Sequence, residues 1–465
     1  MKVTKIILKN YLNYRKDLVI DLTYPSTHPL KAGKPLDKVC LIGQSGTGKS
    51  TILNLIKFFS YEDQINPDCL DQNLLFEENV GIHFLVENTY KFSKWSKGVP
   101  EDKISSQKDI ELIYKGENGL SDLECKAYLI EHFFKVKGVS LLSFPFDTIR
   151  NFNNDLAENY QSVLKKPEDD AKAASERKSE SEKRTDYLEK KIWDFSIDKV
   201  QFVWNILIDE IKAYEPDYIR KVNEFLAKSK ANPSKAQDYI EELVSWEKEH
   251  ENPLKQIVQK CIDSILCKFN LKVNTEIDFE KEDHLKLGRI QRINDLVEVP
   301  TAFLSTGTLQ ILATSIPLSV LTFRDATILF DEPERSLYPD TQIGLIKEYT
   351  TLVPNAQFFF ATHSPIVASA FEPCERIIFD FDEDGKVITE KGVSPEGDDP
   401  NDILYKDFGM DNILEEKGLE AYKRFIELKS LMLNETNLTR KQELMSEYLS
   451  LNIHYRFDSQ HETNS

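Results

Sequence analysis

Asp37 to Phe59 reads DKVCLIGQSGTGKSTILNLIKFF, and this stretch decides the fold. Val39 to Ile42 is a short apolar run of the kind that forms a strand covered on both faces. Gly43-Gln44-Ser45-Gly46-Thr47-Gly48-Lys49-Ser50 follows it and satisfies G-x-x-x-x-G-K-[ST] at every fixed position. Ile52, Leu53, Leu55, Ile56 and Phe59 then recur at helical spacing. Strand, glycine-rich loop and helix in that order open an α/β domain, and they are the context in which this motif holds phosphate. The glycines let the backbone curl until its N–H groups and the helix N-terminus surround phosphate oxygens. Lys49 is expected to reach the β and γ phosphates of ATP and the Ser50 hydroxyl to ligate Mg2+. Gly43, Gln44, Ser45, Gly46, Thr47, Gly48 and Thr51 are expected to complete the binding loop.

Three later stretches fit that beginning. Ala326 to Asp340, ATILFDEPERSLYPD, places two carboxylates at the end of an apolar strand. A carboxylate there can hold Mg2+ through water, which is assigned to Asp331, and its neighbour can take a proton from the attacking water, which is assigned to Glu332. Gln357 to Ser364, QFFFATHS, is a second buried strand ending at His363, read as a γ-phosphate contact. Phe303 to Leu312, FLSTGTLQIL, opens a helix at Ser305, and a serine hydroxyl with the Gly307 N–H at a helix start suits an anion.

In this combination and order the chain resembles the ABC-type ATPases, in particular the soluble branch of recombination-repair, SMC-like and overcoming-lysogenization-defect ATPases. The resemblance covers about Lys2 to Arg150 and Val297 to Ile388. It implies an LSGGQ-like signature at Leu304-Ser305-Thr306-Gly307-Thr308, in which Ser305 and Gly307 contact ATP held by the other subunit; Thr306 and Thr308 depart from the commonest form. It also implies a dimer-facing loop at Ser336-Leu337-Tyr338-Pro339. The family's Q-loop glutamine is missing near SFPFDTIR, where Ser143 and Asp147 are the nearest polar candidates. A second resemblance joins LTYPSTHPLKAGKPLDKVCLIGQSGTGKS and SPEGDDPNDILYKDFGMDNILEEKGLEAY to ATPases of bacterial anti-phage modules of the Septu and PARIS type. It implies a homo-oligomer that holds or controls a separately encoded nuclease.

Composition narrows the remaining choices. With 465 residues, 40% hydrophobic and 29% charged, the chain can bury a real core and has no apolar run of membrane-spanning length. No membrane is expected as a partner, and Met1 to Ile7 lacks the pattern of a secretion signal, so the expected compartment is the cytoplasm. Fifty-nine basic against 78 acidic side chains give a net charge of -19, a field that repels a polyanion at long range. Nucleic acid is therefore a minority partner. Six scattered cysteines are expected to be reduced and structural.

The expected fold class is α/β: an ABC-type P-loop head with a parallel sheet core and an antiparallel β-meander, an inserted helical or coiled-coil domain, and C-terminal helices. The expected boundaries are 1–150 for the first lobe, 151–271 for the insertion, 272–392 for the second lobe and 393–465 for the tail. An antiparallel pair is expected around Asn13-Tyr14-Arg15, and β-like runs from Asn79 to Phe92 and Ile110 to Tyr114. Lys165 to Asp186 has no large apolar residue and reads as a solvated or disordered stretch. In the tail, Leu419, Tyr422, Phe425, Ile426 and Leu431 are read as one packed face, and Thr439 with Gln442 as a capping box. Asp380, Asp382 and Asp384 read as a β-hairpin turn rather than a nuclease carboxylate cluster. The expected activity is slow or regulated ATP hydrolysis in a switch that closes as a dimer around ATP and controls a nuclease. The alternative is a DNA-repair or SMC-like ATPase that binds DNA directly, and a transporter ATPase is a third option.

Overall fold

A computed structural model describes residues 2–9, 11–60, 80–86, 90–96, 110–116, 139–145, 191–195, 200–258, 262–275, 290–300, 303–411, 414–455 and 457. The readings of Lys165 to Asp186 and of Asp147 lie outside the described residues. The chain divides into two compact units, Met1–Asp398 and Asp399–Ser465.

Unit one is built on two sheets. The first strand, β1 (Lys2–Leu8), pairs antiparallel with β2 (Leu18–Asp21) across the expected turn. On its other edge β1 takes β4 (Val80–Val86), and β5 (Tyr90–Ser96) and β6 (Ile110–Gly116) extend an antiparallel sheet of order β2-β1-β4-β5-β6. The central sheet uses β3 (Lys38–Gly43), β7 (Val139–Phe144), β8 (Ile192–Asp194), β11 (Phe323–Asp331), β12 (Gln357–Ala361), β13 (Arg376–Phe381) and β14 (Val387–Lys391). Its order is β14-β13-β3-β12-β11-β7-β8, parallel throughout except for the β13–β14 hairpin. A small pair, β9 (Leu271–Val273) and β10 (Ile290–Arg292), stands apart. The fold is thus α/β with a mostly parallel core and an antiparallel sheet beside it.

Alternation along the buried strands explains how both faces are covered. Val39, Leu41, Leu329 and Phe359 join one cluster with Ile52, Leu55 and Ile56 of helix α1 (Lys49–Ser60). On the opposite face Phe330 stacks on Phe144, Tyr349 and Phe360 at centroid distances of 4.6, 5.0 and 5.1 Å. At the end of α1, Lys57 Nζ lies 2.8 Å from the buried Asp194 carboxylate of β8.

One buried glutamine ties the two sheets together. Gln357 is fully buried; its Oε1 accepts from Val3 N at 2.6 Å, and its Nε2 donates to Val3 O and Leu36 O, both at 2.9 Å. Leucine at this position would strand three backbone groups, each costing about 1–3 kcal/mol when buried and unpaired. Gln357→Leu is therefore expected to lose roughly 3–5 kcal/mol in a urea titration, and an unchanged midpoint would contradict the lock.

Within the segment read as the helical insertion, α2 (Val200–Ala231) and α3 (Ala236–Glu249) pack on each other. Tyr214 and Tyr218 lie against Trp246, with Lys221 and Lys228 both on Glu242. Helix α2 also packs on α4 (Thr306–Val320).

Unit two contains α5 (Glu416–Asn434) and α6 (Leu438–Tyr455), which pack around Phe425, Leu428 and Leu444. Ile426 and Leu431 are exposed, contrary to the sequence reading; a 3.6-residue period marks an apolar stripe, but the partner covers only the Phe425–Leu428 half of it. The α6 cap also differs. Asn437 Oδ1 accepts from Thr439 N and Arg440 N, so the cap is an asparagine two residues before the expected threonine.

Candidate functional site

Strand register builds the site. Because β3, β12 and β11 are parallel neighbours, with Ala361 level with both Leu41 and Asp331, their C-terminal ends reach one edge together. The loop 43–50, His363 after β12 and Asp331 with Glu332 at the end of β11 therefore converge, as ligand sites do at strand ends in α/β sheets. Ser50 Oγ donates to Asp331 Oδ1 at 3.2 Å, although 281 residues separate the two. His363 Nε2 stands 3.9 Å from Glu332 Oε1.

Glycine is required at two loop positions. Gly43 and Gly48 have φ of 144° and 87°, and a Cβ would collide with the Phe379 carbonyl at the first and with the Tyr14 hydroxyl at the second. Tyr14 Oη donates to Gly48 O at 2.8 Å, and burial holds its pKa well above the usual range, so it remains a donor. Lys49 is buried, and its Nζ donates to Gly43 O at 2.9 Å and Gln44 O at 3.0 Å. Burial lowers the Lys49 pKa, while Asp331 and Glu332 oppose that. Burial likewise raises Asp331, opposed by the Ser50 hydrogen bond. Burial and then Lys49 lower His363, so its ring is neutral near pH 7 and offers one donor and one acceptor.

The signature stretch behaves locally as a cap. Ser305 Oγ accepts from Thr308 N at 3.1 Å and pairs with Thr308 Oγ1 at 2.8 Å, which gives Thr308 a place, while Thr306 is exposed and nothing in the structure explains it. Ser305 is exposed at this N-terminus, whereas Gly307 is buried with its Cα against the Ser336 carbonyl; an added Cβ would lie 2.7 Å from that oxygen. Among the described residues no hydrogen bond or ion pair joins Ser305 or Gly307 to loop 43–50. Five of the seven chemically assigned side chains and backbone positions, Lys49, Ser50, Asp331, Glu332 and His363, thus gather at one sheet edge. Ser305 and Gly307 lie on another segment, beside Ser336 and the exposed Tyr338.

The AAA_15 family profile, an AAA ATPase domain, matches residues 1–368. The chain belongs to this AAA ATPase family. No curated protein matches this AAA ATPase chain. Among solved structures it is similar to an Smc head bound to the C-winged helix domain of ScpA, with 13% identity, TM-score 0.42, and coverage of 84% of this chain and 97% of that one. It is similar also to the Smc head domain with an extended coiled coil bound to the C-terminal domain of ScpA from Pyrococcus furiosus, at 16% identity, TM-score 0.39, and 84% and 96% coverage. The SMC head domain from Thermotoga maritima matches at 11% identity, TM-score 0.38, and 85% and 100% coverage.

Several groups at the candidate site escaped the sequence reading. Glu334 Oε1 accepts from Thr362 Oγ1 at 2.6 Å and from His363 N at 3.1 Å. Gln342 donates to Leu337 O at 3.0 Å and accepts from Ser364 Oγ at 2.6 Å, and Gln310 Nε2 donates to Pro333 O. Glu334 carried a signal, an acid three positions beyond Asp331; Tyr14 and the two glutamines had none, since their partners are distant in sequence. Ser143, one of the two Q-loop candidates, is buried in β7. Asp380 and Asp382 accept backbone N–H groups within the β13–β14 hairpin, as its turn requires. Among the described residues no helix is long and apolar enough to cross a membrane.

Proposed function

We propose that the chain is an ATP-driven switch in which two copies close around two ATP molecules and signal the closed state to a separate effector. The observation that carries this reading is the separation of the two half-sites: the phosphate loop and acid cluster at one sheet edge, and an exposed Ser305 cap that its own loop does not meet. Phe303, two residues before Ser305, and Tyr338, next in sequence to the Leu337 that lies by Gly307, are 78% and 75% exposed and offer apolar surface for a partner copy.

In each composite site Lys49 and loop 43–51 hold the phosphates. The loop fits them because Gly43 and Gly48 leave no room for a Cβ and the loop runs into the N-terminus of α1, where backbone N–H groups are free to meet an anion. Ser50 and Asp331 would hold Mg2+, which supplies charge neutralisation on phosphate oxygens. Glu332 accepts the proton of the attacking water, and neutral His363 contacts the γ-phosphate oxygens. Ser305 and Gly307 of the second copy close the site. The insertion 151–271, set between lobes 1–150 and 272–392, and the tail 393–465 carry the closed state outward. The effector is a nuclease of an anti-phage module; what supports this is the likeness of the opening and tail segments to such ATPases. This reading implies a homo-oligomer that works in the cytoplasm.

Mixing separates a shared site from a private one. Lys49→Ala and Ser305→Arg subunits, each inactive alone, are expected to recover in mixture up to about one half of the wild-type rate per mixed dimer, since one composite site is intact. No recovery in a phosphate-release assay would exclude sharing. Salt-sensitive DNA affinity in the same preparation would instead favour the DNA-binding reading.

A further inference from the structure

The segment 332–338 is wound tightly between the acid at the end of β11 and the surface beside Gly307. Two non-glycine residues in it occupy the left-handed region, Glu332 at φ 52° and Ser336 at φ 64°, a conformation that persists only where surroundings impose it. Backbone bonds Glu332 N to Ala361 O, Arg335 N to Glu332 O and Leu337 N to Glu334 O shape the turn. One side chain inside the turn reaches the loop that carries His363. Glu334 Oε1 takes both the Thr362 hydroxyl and the His363 backbone N–H, and the fully buried Thr362 hydroxyl in turn accepts from Ser364 N at 2.9 Å. Its second oxygen, Oε2, is buried and has no hydrogen-bond donor among the described residues. A carboxylate placed this way is an unusual structural choice, because burying half of it unpaired costs free energy that a smaller polar residue would avoid.

We infer that Glu334 is a positioning residue for hydrolysis: by clamping Thr362 and the His363 N–H it sets the distance between His363 and Glu332, and links both to the loop at Ser336–Tyr338. The inference rests on the proposed roles of Glu332 and His363. A shift of either group by about 1 Å is enough to cost two orders of magnitude in rate.

The test is single-turnover and steady-state ATP hydrolysis by the full chain. Glu334→Ala is expected to lower kcat by about 10- to 100-fold with KM for ATP unchanged. Glu334→Gln, whose amide oxygen can accept the same two hydrogen bonds, is expected to keep most of the rate, and Thr362→Val, which removes the other half of the clamp, to fall in the same direction as the alanine variant. In a His363→Ala background the alanine change is expected to cost nothing further, because the residue acts through His363. Additive losses in that double variant, a change in KM alone, or full activity of Glu334→Ala would overturn the inference. If His363→Ala itself hydrolyses ATP at the normal rate, the proposed role of His363 fails first. If it is slow while Glu334→Ala is not, only the clamp fails. Should Glu334→Ala not fold, Thr362→Val and Glu334→Gln decide the matter by the same comparison.

Discussion

Glu332→Gln is expected to slow ATP turnover by about a thousandfold, within the range attributed to a positioned general base, while ATP affinity is retained. Glutamine keeps the shape of the side chain and its contact with His363 but cannot accept a proton. Glu332 is suited to the role because β11 ends at Asp331, and the next residue turns into the left-handed region, out of the strand direction. In consequence the closed, ATP-bound dimer should accumulate and elute earlier in gel filtration than the wild type with ATP and Mg2+. Unchanged turnover with unchanged assembly would remove Glu332 from the mechanism.

Lys49→Ala is expected to weaken ATP binding by about 100-fold or more, read by titration with a fluorescent ATP analogue. A hydrogen bond to a charged group contributes about 1.5–3 kcal/mol, and in the proposed role the buried Lys49 would make more than one such contact to a polyphosphate. The Lys49 ammonium also offsets the repulsion between Asp331 and Glu332, so the variant leaves two acids facing a tetra-anionic substrate. A melting curve serves as control, because Lys49 also bridges the carbonyls of its own loop. Wild-type affinity with an intact fold would contradict the phosphate-loop assignment.

The parts of the site that could be read from the chain alone are those whose chemistry is local. Gly43 to Ser50 needs only its own spacing and the strand and helix on either side. Asp331 with Glu332, and His363, each stand at the end of an apolar strand whose composition announces it. Their convergence is a different matter. It depends on β12 lying between β3 and β11, a neighbour relation among segments about 300 residues apart, and no periodicity encodes it. The same limit hid Gln357, whose partners are Val3 and Leu36, and Tyr14, whose hydroxyl reaches Gly48. In the tail the period was legible and the packed half of the stripe was not, since which side of α5 is buried is decided by α6. For Ser305 the chain alone allowed two readings, a local cap or an ATP contact. The geometry gives it the cap and leaves its exposed edge available for the second role.

The ion pair at the end of α1 has a mechanical consequence. Lys57 stands in the last turn of the helix that begins at the phosphate loop, and Asp194 closes β8, six positions before α2 begins in the sequence; α2 itself packs on α4, the helix that Ser305 caps. On the proposed composite site, α1 belongs to the half-site for a subunit's own ATP, and α4, on which α2 packs, belongs to the half-site for its partner's. Thirty-two residues of helix, with Pro216 inside, span roughly 48 Å along the chain, so a tilt of about 5° carried along that length would sweep the far end through about 4 Å. That is about three quarters of the 5.4 Å pitch of a helix, enough to shift one packed surface against another.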